Sequence, residues 1–373
     1  METTKQKTKG KKGIKALKII LIILIIIAIA AIVFIEVVTR PVDENSDKVI
    51  AVGGMVTSEK IDYQCESAKG LENNPVIKIM QMVWRFCSDG DMKKHEDQIP
   101  PEVDATYDLT YIDDGNRYHK LDVYAPKGNM QKLPVIIDIH GGGWMYGDKQ
   151  LNEYYCRALA DRGFIVFNLS YRLVPDVTVN EQIQDVAYAL KWINENMNNY
   201  NCDDESIMLT GDSAGGQLAI YSTVLLQSEE LRGVFDVVDA GLEIDALLLT
   251  SPVPNMNDGS LSVYTKLLWG KNYEEKATYE YMNLDQIIDY AENMPPTYLI
   301  TSSGDSLAHE QTVKAYELLQ SKGVNCVLKD YDDWEGESLP HVFSVLYPFD
   351  EIGTQAIDEA TDFYRELVTP ITK

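Results

Sequence analysis

Cysteine, histidine and positive charge are all in short supply, and each scarcity removes a class of function. The five cysteines among 373 residues show no Cys-x-x-Cys pair and no metal-ligand spacing, which excludes a zinc ribbon or a dithiol redox motif. Cys156 and Cys326 fall in apolar-patterned stretches and read as core residues. Cys65 and Cys87 flank one helical segment and are a candidate pair in an oxidising compartment. An odd total leaves at least one thiol outside any intramolecular bridge. Basic residues number 33 against 58 acidic ones, and seven of the 33 are lysines within residues 1–18, beside the single acid Glu2. Beyond Lys18 the chain therefore carries 26 basic and 57 acidic residues. Such a chain has little with which to neutralise phosphates, so no nucleic-acid partner is expected. There are no internal repeats, and no low-complexity tract apart from one apolar run.

That run extends from Ile19 to Ile35, with Ala16, Leu17, Val37 and Val38 continuing it past Lys18 and Glu36. As a helix it is long enough to cross a ~30 Å hydrocarbon layer. Lysines precede it, and Asp43, Glu44 and Asp47 follow it. The positive-inside rule then makes residues 1–18 a cytoplasmic tail, 19–38 a single-pass transmembrane helix in the cell membrane, and the remainder extracytoplasmic. Ala28-Ile29-Ala30 offers a small-residue cleavage site, but the run continues through Phe34 and Ile35, so an uncleaved signal-anchor is expected.

Residues 39–60, with Pro41, Gly53, Gly54 and several charges, read as a juxtamembrane linker, and 61–105 as an N-terminal cap segment. Within the cap, Asn74-Pro75 supplies a helix cap and a first-turn proline ahead of Val76, Ile79, Met80, Val83 and Cys87 at helical spacing. From 106 to 373 strands and helices alternate. Tyr107–Ile112 and Tyr118–Tyr124 read as antiparallel strands, and Val135–Ile139 as a strand buried on both faces. A helix at Leu151–Arg162, a strand at Phe164–Leu169 and a helix at Gln182–Met197 follow. Later strands are expected at Ala246–Thr250, Thr297–Thr301 and Cys326–Tyr331, and helices at Ala308–Lys322 and Thr354–Leu367. This alternation predicts an α/β fold with a doubly wound, mostly parallel sheet. A polar, Tyr-rich insertion at 255–292 is expected to cover a pocket, with Tyr264, Trp269, Tyr273, Tyr279 and Tyr281 as candidate lining.

The stretch around which the chain is organised is Ile207-Met208-Leu209-Thr210-Gly211-Asp212-Ser213-Ala214-Gly215-Gly216. A strand, a tight turn and a helix place Ser213 at the apex. Gly211 and Gly215 remove the Cβ atoms that would collide there, and the helix N-terminus favours developing negative charge. After Val135–Ile139 comes His140-Gly141-Gly142-Gly143-Trp144, a run that lets backbone N–H groups converge on one point. Both loops open at the same edge of a parallel sheet, where ligands of such folds bind.

A serine nucleophile needs a base, and the base needs an orienting acid. Of the five histidines, His95 sits in a charged run and reads as a solvated loop residue. His119 lies in an early strand, His140 heads the glycine run, and His309 occupies a first helical turn. His341, in Leu339-Pro340-His341-Val342-Phe343 after the last strand, is the candidate base. Asp305, directly after strand Thr297–Thr301, is the candidate acid, with Asp330, Asp332 and Asp333 as competitors.

With its glycine run and its Gly-Asp-Ser-Ala-Gly-Gly turn, in the order Ser213…Asp305…His341, the chain resembles the hormone-sensitive-lipase-like esterases of the α/β-hydrolase fold. Tyr171-Arg172-Leu173 followed by Pro175, and the His-x-Phe pattern at His341, are similar to segments of that family. Trp144 with Gly147-Asp148-Lys149 is also similar to feruloyl- and acetyl-esterase-like and formamidase-like relatives. The resemblance implies a serine hydrolase of small acyl or carbohydrate-linked esters, with amidase, formamidase or peptidase chemistry as the alternative reading and a non-catalytic binding protein of the same fold as a third, disfavoured because all three triad members have candidates. It implies Ser213, His341 and Asp305 as catalytic residues, with Gly142, Gly143 and Ala214 as oxyanion donors. His140, Gly141, Gly211 and Gly215 would support the motif. The expected substrate is a small-molecule ester, and the chemistry calls for no metal or organic cofactor.

Overall fold

The apolar N-terminal run forms helix α1 (Glu2–Val38), whose stretch Ile20–Val38 is long and apolar enough to span a membrane. The fold is known from a computed structural model that describes residues 2–43, 51–57, 74–257 and 262–368. Immediately after α1, Thr39 is buried, and β1 (Val42–Asp43) pairs in parallel with β2 (Val56–Thr57). Val52 and Met55 are fully buried against Tyr146 and Leu151. The stretch expected to be a linker is thus partly folded. Its few apolar residues dock onto the loop after the glycine run, where Gly53 N donates to the Met145 carbonyl at 2.8 Å. Helix α2 (Pro75–His95) follows, begun as expected by Asn74, whose side chain accepts from Val76 N at 2.9 Å. Cys87, half-buried on α2, is a free thiol; Cys65 lies outside the described residues.

The sheet is built from β3 (Val103–Thr110), β4 (Lys120–Pro126), β5 (Leu133–Ile139), β6 (Ile165–Leu169), β7 (Cys202–Asp212), β8 (Ala246–Thr250), β9 (Thr297–Ser302) and β10 (Cys326–Tyr331). Its spatial order is β3-β4-β6-β5-β7-β8-β9-β10, antiparallel at the first two pairings and parallel from β6 to β10. Between the strands run α3 (Glu153–Asp161), α4 (Val179–Asn196), α5 (Ala214–Gln227), α6 (Glu229–Phe235), α7 (Ser262–Trp269), α8 (Leu284–Ile287), α9 (His309–Ser321), α10 (Phe343–Leu346) and α11 (Glu351–Val368).

Alternation along the strands feeds two cores. On β5, Val135, Ile137 and Ile139 pack with α4, α5 and α9, whereas Ile136 packs with α3, α10 and α11 on the opposite face. This is the doubly wound arrangement, the α/β-hydrolase fold. Several boundaries differ from expectation, those of β3, α4 and α11 the most. β3 begins at Val103 because it is a half-exposed edge strand whose apolar residues alternate with polar ones, which weakens its signal. α4 begins at Val179, where Thr178 and Glu181 form a reciprocal capping box three residues ahead of the expected start. β3 also breaks register between Thr106 and Leu109, where Asp108 takes a φ of 58° and its N–H donates to Asp122 Oδ1 at 2.8 Å.

Candidate active site

Ser213 sits between β7 and α5 with φ 50° and ψ −116°, a conformation rarely populated by a residue with a side chain. The flanking glycines explain how the turn closes. A Cβ on Gly215 would collide with the Ile139 carbonyl oxygen, and one on Gly211 would sit 2.5 Å from the Gly215 carbonyl oxygen. Ser213 N donates to Thr250 O at 2.9 Å, tying the turn to the neighbouring strand.

The loop after β10 returns His341 to this apex. His341 Nε2 lies 2.9 Å from Ser213 Oγ, and its Nδ1 lies 2.9 Å from Asp305 Oδ2. With Asp305 ionised, Nδ1–H donates to the carboxylate and Nε2 is left to accept from the serine hydroxyl. Asp305 is buried, and its other oxygen accepts from the Leu307 and Ala308 amides at 3.0 Å each. Burial alone would raise its pKa. Hydrogen bonds from His341, Ser251 and the Ala308 amide, with the field of His341, outweigh that and hold the carboxyl below its ordinary range. Ser302 Oγ donates to the Leu339 carbonyl at 2.8 Å, fastening the histidine loop to the end of β9.

Opposite the serine, the glycine run turns sharply: Gly142 has φ 108° and Gly143 φ 54°. The amides of Gly142, Gly143 and Ala214 donate to no protein acceptor among the described residues. The run is held from behind. Gly141 N donates to Asp212 Oδ1 at 2.9 Å, and Asn152 Nδ2 donates to the same oxygen at 2.8 Å and to Asp138 Oδ2 at 3.0 Å. Burial pushes Asp212 up to about 6, against the pull of Asn152, His341 and the Gly141 amide. Tyr171 Oη donates to the His140 carbonyl at 2.8 Å while its ring stacks on the His140 imidazole at 4.3 Å. Gln182 Nε2 donates to the carbonyls of Trp144 and Arg172, both at 2.8 Å. Tyr171 and Gln182 are therefore braces of the glycine loop, and Arg172 anchors Gln182 through its carbonyl.

The other histidines are occupied elsewhere. His140 is buried, its Nδ1 faces the Gly141 carbonyl oxygen at 2.7 Å, and burial pushes its pKa down to about 4. His119 bridges Asp114 and Asp185. His309 pairs with Asp330, which removes that competitor of Asp305. His95 is not a solvated loop residue: it is buried at the end of α2 and stacks on Tyr154, because the helical spacing continues through the charged run.

Above Ser213 lies a cavity of about 370 Å³, walled by Trp84, Phe86, Cys87, Leu151, Val345 and Leu346, with Gly142, Gly143 and His341 at its base. Its roof is α2. The 255–292 insertion, expected to cover and line the pocket, contributes no lining residue among its described residues; Trp269 packs on Phe235 and Tyr273 on Tyr279. Tyr264 meets the site from behind, through the Gly143 carbonyl and through the indole of Trp84. Among the described residues no His, Cys, Asp and Glu cluster has the makings of a metal site.

Sequence and structure comparisons agree with this geometry. Residues 121–319, from β4 into α9, match the BD-FAE family. The chain belongs to the BD-FAE family. It is 27% identical over 266 residues to versiconal hemiacetal acetate esterase of Dothistroma septosporum, covering 66% of this chain and 77% of that one. It is 25% identical over 228 residues to isoprenylcysteine alpha-carbonyl methylesterase of Arabidopsis thaliana, of whose length it spans about half, 52%. Esterase B of Lactobacillus rhamnosis, crystallised with a tributyrin phosphonate, superposes with a TM-score of 0.73 at 29% identity, over 78% of this chain and 94% of that one. This BD-FAE member is a carboxylic-ester hydrolase of the α/β-hydrolase fold.

Proposed function

We propose that the protein hydrolyses carboxylic esters bearing a small acyl group through an acyl-enzyme intermediate on Ser213. The observation that carries this reading is the unbroken chain Ser213 Oγ, His341, Asp305, with both links at 2.9 Å. As Ser213 Oγ attacks the carbonyl carbon, His341 Nε2 takes its proton and Asp305 stabilises the resulting imidazolium. The carbonyl oxygen becomes an oxyanion facing the amides of Gly142, Gly143 and Ala214, which are already oriented before charge develops; each such donor is typically worth ~3–4 kcal/mol. His341 then returns the proton to the leaving alcohol, and water repeats the sequence to release the acid. The largely apolar wall of the cavity favours an alkyl over a glycosyl substituent.

The stretch Ile20–Val38 acts in this reading as an uncleaved membrane anchor, with residues 39–373 as the extracytoplasmic enzyme. The test is turnover of acyl esters of graded length beside acetylated sugars, together with fluorophosphonate labelling. Labelling that survives Ser213→Ala overturns the assigned nucleophile, and a preference for acetylated sugars overturns the alkyl assignment.

A further inference from the structure

Helix α2 carries an apolar stripe on the side away from the core. Val76, Ile79, Val83 and Phe86, spaced three or four residues apart, are each between 43% and 55% exposed, while Ile77, Gln81 and Ser88 form its buried side. A stripe of this kind facing water is costly for a soluble surface, and it is continuous with the cavity. Phe86 ends the stripe and is also a cavity wall, as is Leu307, which is 71% exposed at the rim.

Two further observations identify what covers it. The C-terminal end of α1 packs against α2, and the chain is bound to the fold within a few residues of leaving α1, through Thr39 and the Val42–Val56 pair. The apolar anchor thus ends against α2 with no spacer. In a chain of formal net charge −25, α2 runs against the trend: Lys78, Arg85, Lys93 and Lys94 outnumber Asp89 and Asp91. Arg85 pairs with Asp89 and Lys94 with Asp91, so the basic excess over these pairs is Lys78 and Lys93. An amphipathic helix with such an excess suits the boundary between headgroups and acyl chains of an anionic bilayer.

We propose that α2 is an interfacial membrane contact that holds the mouth of the cavity against the lipid surface, so that the site draws its esters from the bilayer. This rests on the anchor and esterase readings above. Apolar esters concentrate in the bilayer, and a mouth seated in the headgroup layer receives them without passage through water.

The test uses the full chain in vesicles of phosphatidylcholine and phosphatidylglycerol, and two esters of the same acid. One is p-nitrophenyl butyrate supplied in water; the other is hexadecyl butyrate dissolved in the vesicles. The variant Val76→Gln/Ile79→Gln/Val83→Gln alters the stripe and none of the cavity wall. It is expected to lose about tenfold on hexadecyl butyrate and stay within about twofold of wild type on p-nitrophenyl butyrate. Unchanged rates on both esters overturn the contact, and a parallel fall on both shows that the stripe serves the fold instead. Wild-type protein inactive on p-nitrophenyl butyrate defeats the esterase reading, and protein stripped from vesicles by carbonate defeats the anchor; either result takes this proposal with it.

Discussion

Trp84 donates its indole N–H to the hydroxyl of Tyr264 at 3.0 Å, and that hydroxyl donates onward to the Gly143 carbonyl at 2.9 Å. The roof helix and the insertion thus meet on the back of the loop whose amides face Ser213. Tyr264→Phe removes this brace and leaves the ring. The expected outcome is a fall of about tenfold in kcat with KM little changed, beside a stability loss of only ~1 kcal/mol. Steady-state kinetics and urea unfolding of the same preparation check it; a KM effect alone would place Tyr264 in substrate binding instead.

Ser213→Ala and His341→Ala should each lower kcat by about 10⁴ or more while leaving the melting temperature near wild type, because the two side chains meet at the edge of the cavity and carry little packing. Combining them should cost scarcely more than either alone, since they act as one unit. The measurement is turnover of p-nitrophenyl butyrate by the single and double variants; additive losses contradict the arrangement.

Gly142→Ala tests the oxyanion loop. Gly142 has φ 108°, and a Cβ there would collide with the Tyr146 carbonyl oxygen. The loop must shift, and a loss of at least about 100-fold in kcat is expected from displaced donors. Phosphonate inhibition should weaken in proportion. A variant that keeps wild-type kcat places the oxyanion elsewhere.

Asp212 gives the fold a pH dependence of definite sign. Its folded pKa of about 6 lies above the ordinary aspartate value of ~3.9. A raised carboxyl favours the folded state most fully below the unfolded value, and that contribution is lost as pH rises through the folded one. At ~1.4 kcal/mol per unit, roughly 2 kcal/mol disappears between pH 4 and pH 7. Asp212→Asn abolishes the titration, so its stability relative to wild type should rise by about that amount over the same interval. Denaturant unfolding at both pH values measures it; a constant difference refutes the assignment. Asp305 works in the opposite direction. Held below the ordinary range, it stabilises above the unfolded value and loses that contribution as acid drives pH down through the folded one.

What was legible in the sequence follows from the range of each signal. β8 stands where expected because a fully buried strand is an apolar run with clean ends. Ser213, His341 and Asp305 were readable because each ends or follows a strand at one edge of a parallel sheet, so their meeting is a consequence of topology. The braces were not readable. Asn152 joins Asp138 to Asp212, and Trp84 reaches Tyr264 across 180 positions; no local pattern marks such pairs. The cap expected at 61–105 is the roof, because α2 supplies the wall, whereas the aromatics of the 255–292 insertion, which point to it as a second cover, pack among themselves and on Phe235. The folded part of 39–60 escaped notice because Val52 and Met55 are isolated apolar residues, and only the tertiary partners Tyr146 and Leu151 give them a place.

The register break at Asp108 bears on how many copies can sit side by side. A straight outer strand would offer a row of free amides and carbonyls to the next molecule. Here that rim is kinked, with Asp108 and Asp122 both engaged by the ammonium of Lys149 and Asp104 lying near Lys127. An incoming strand would have to strip water from the exposed Asp104, Asp108 and Lys127 and leave part of its own ladder unmade. Neighbouring copies of this enzyme at high local concentration are thereby kept from fusing into continuous β-structure along that rim.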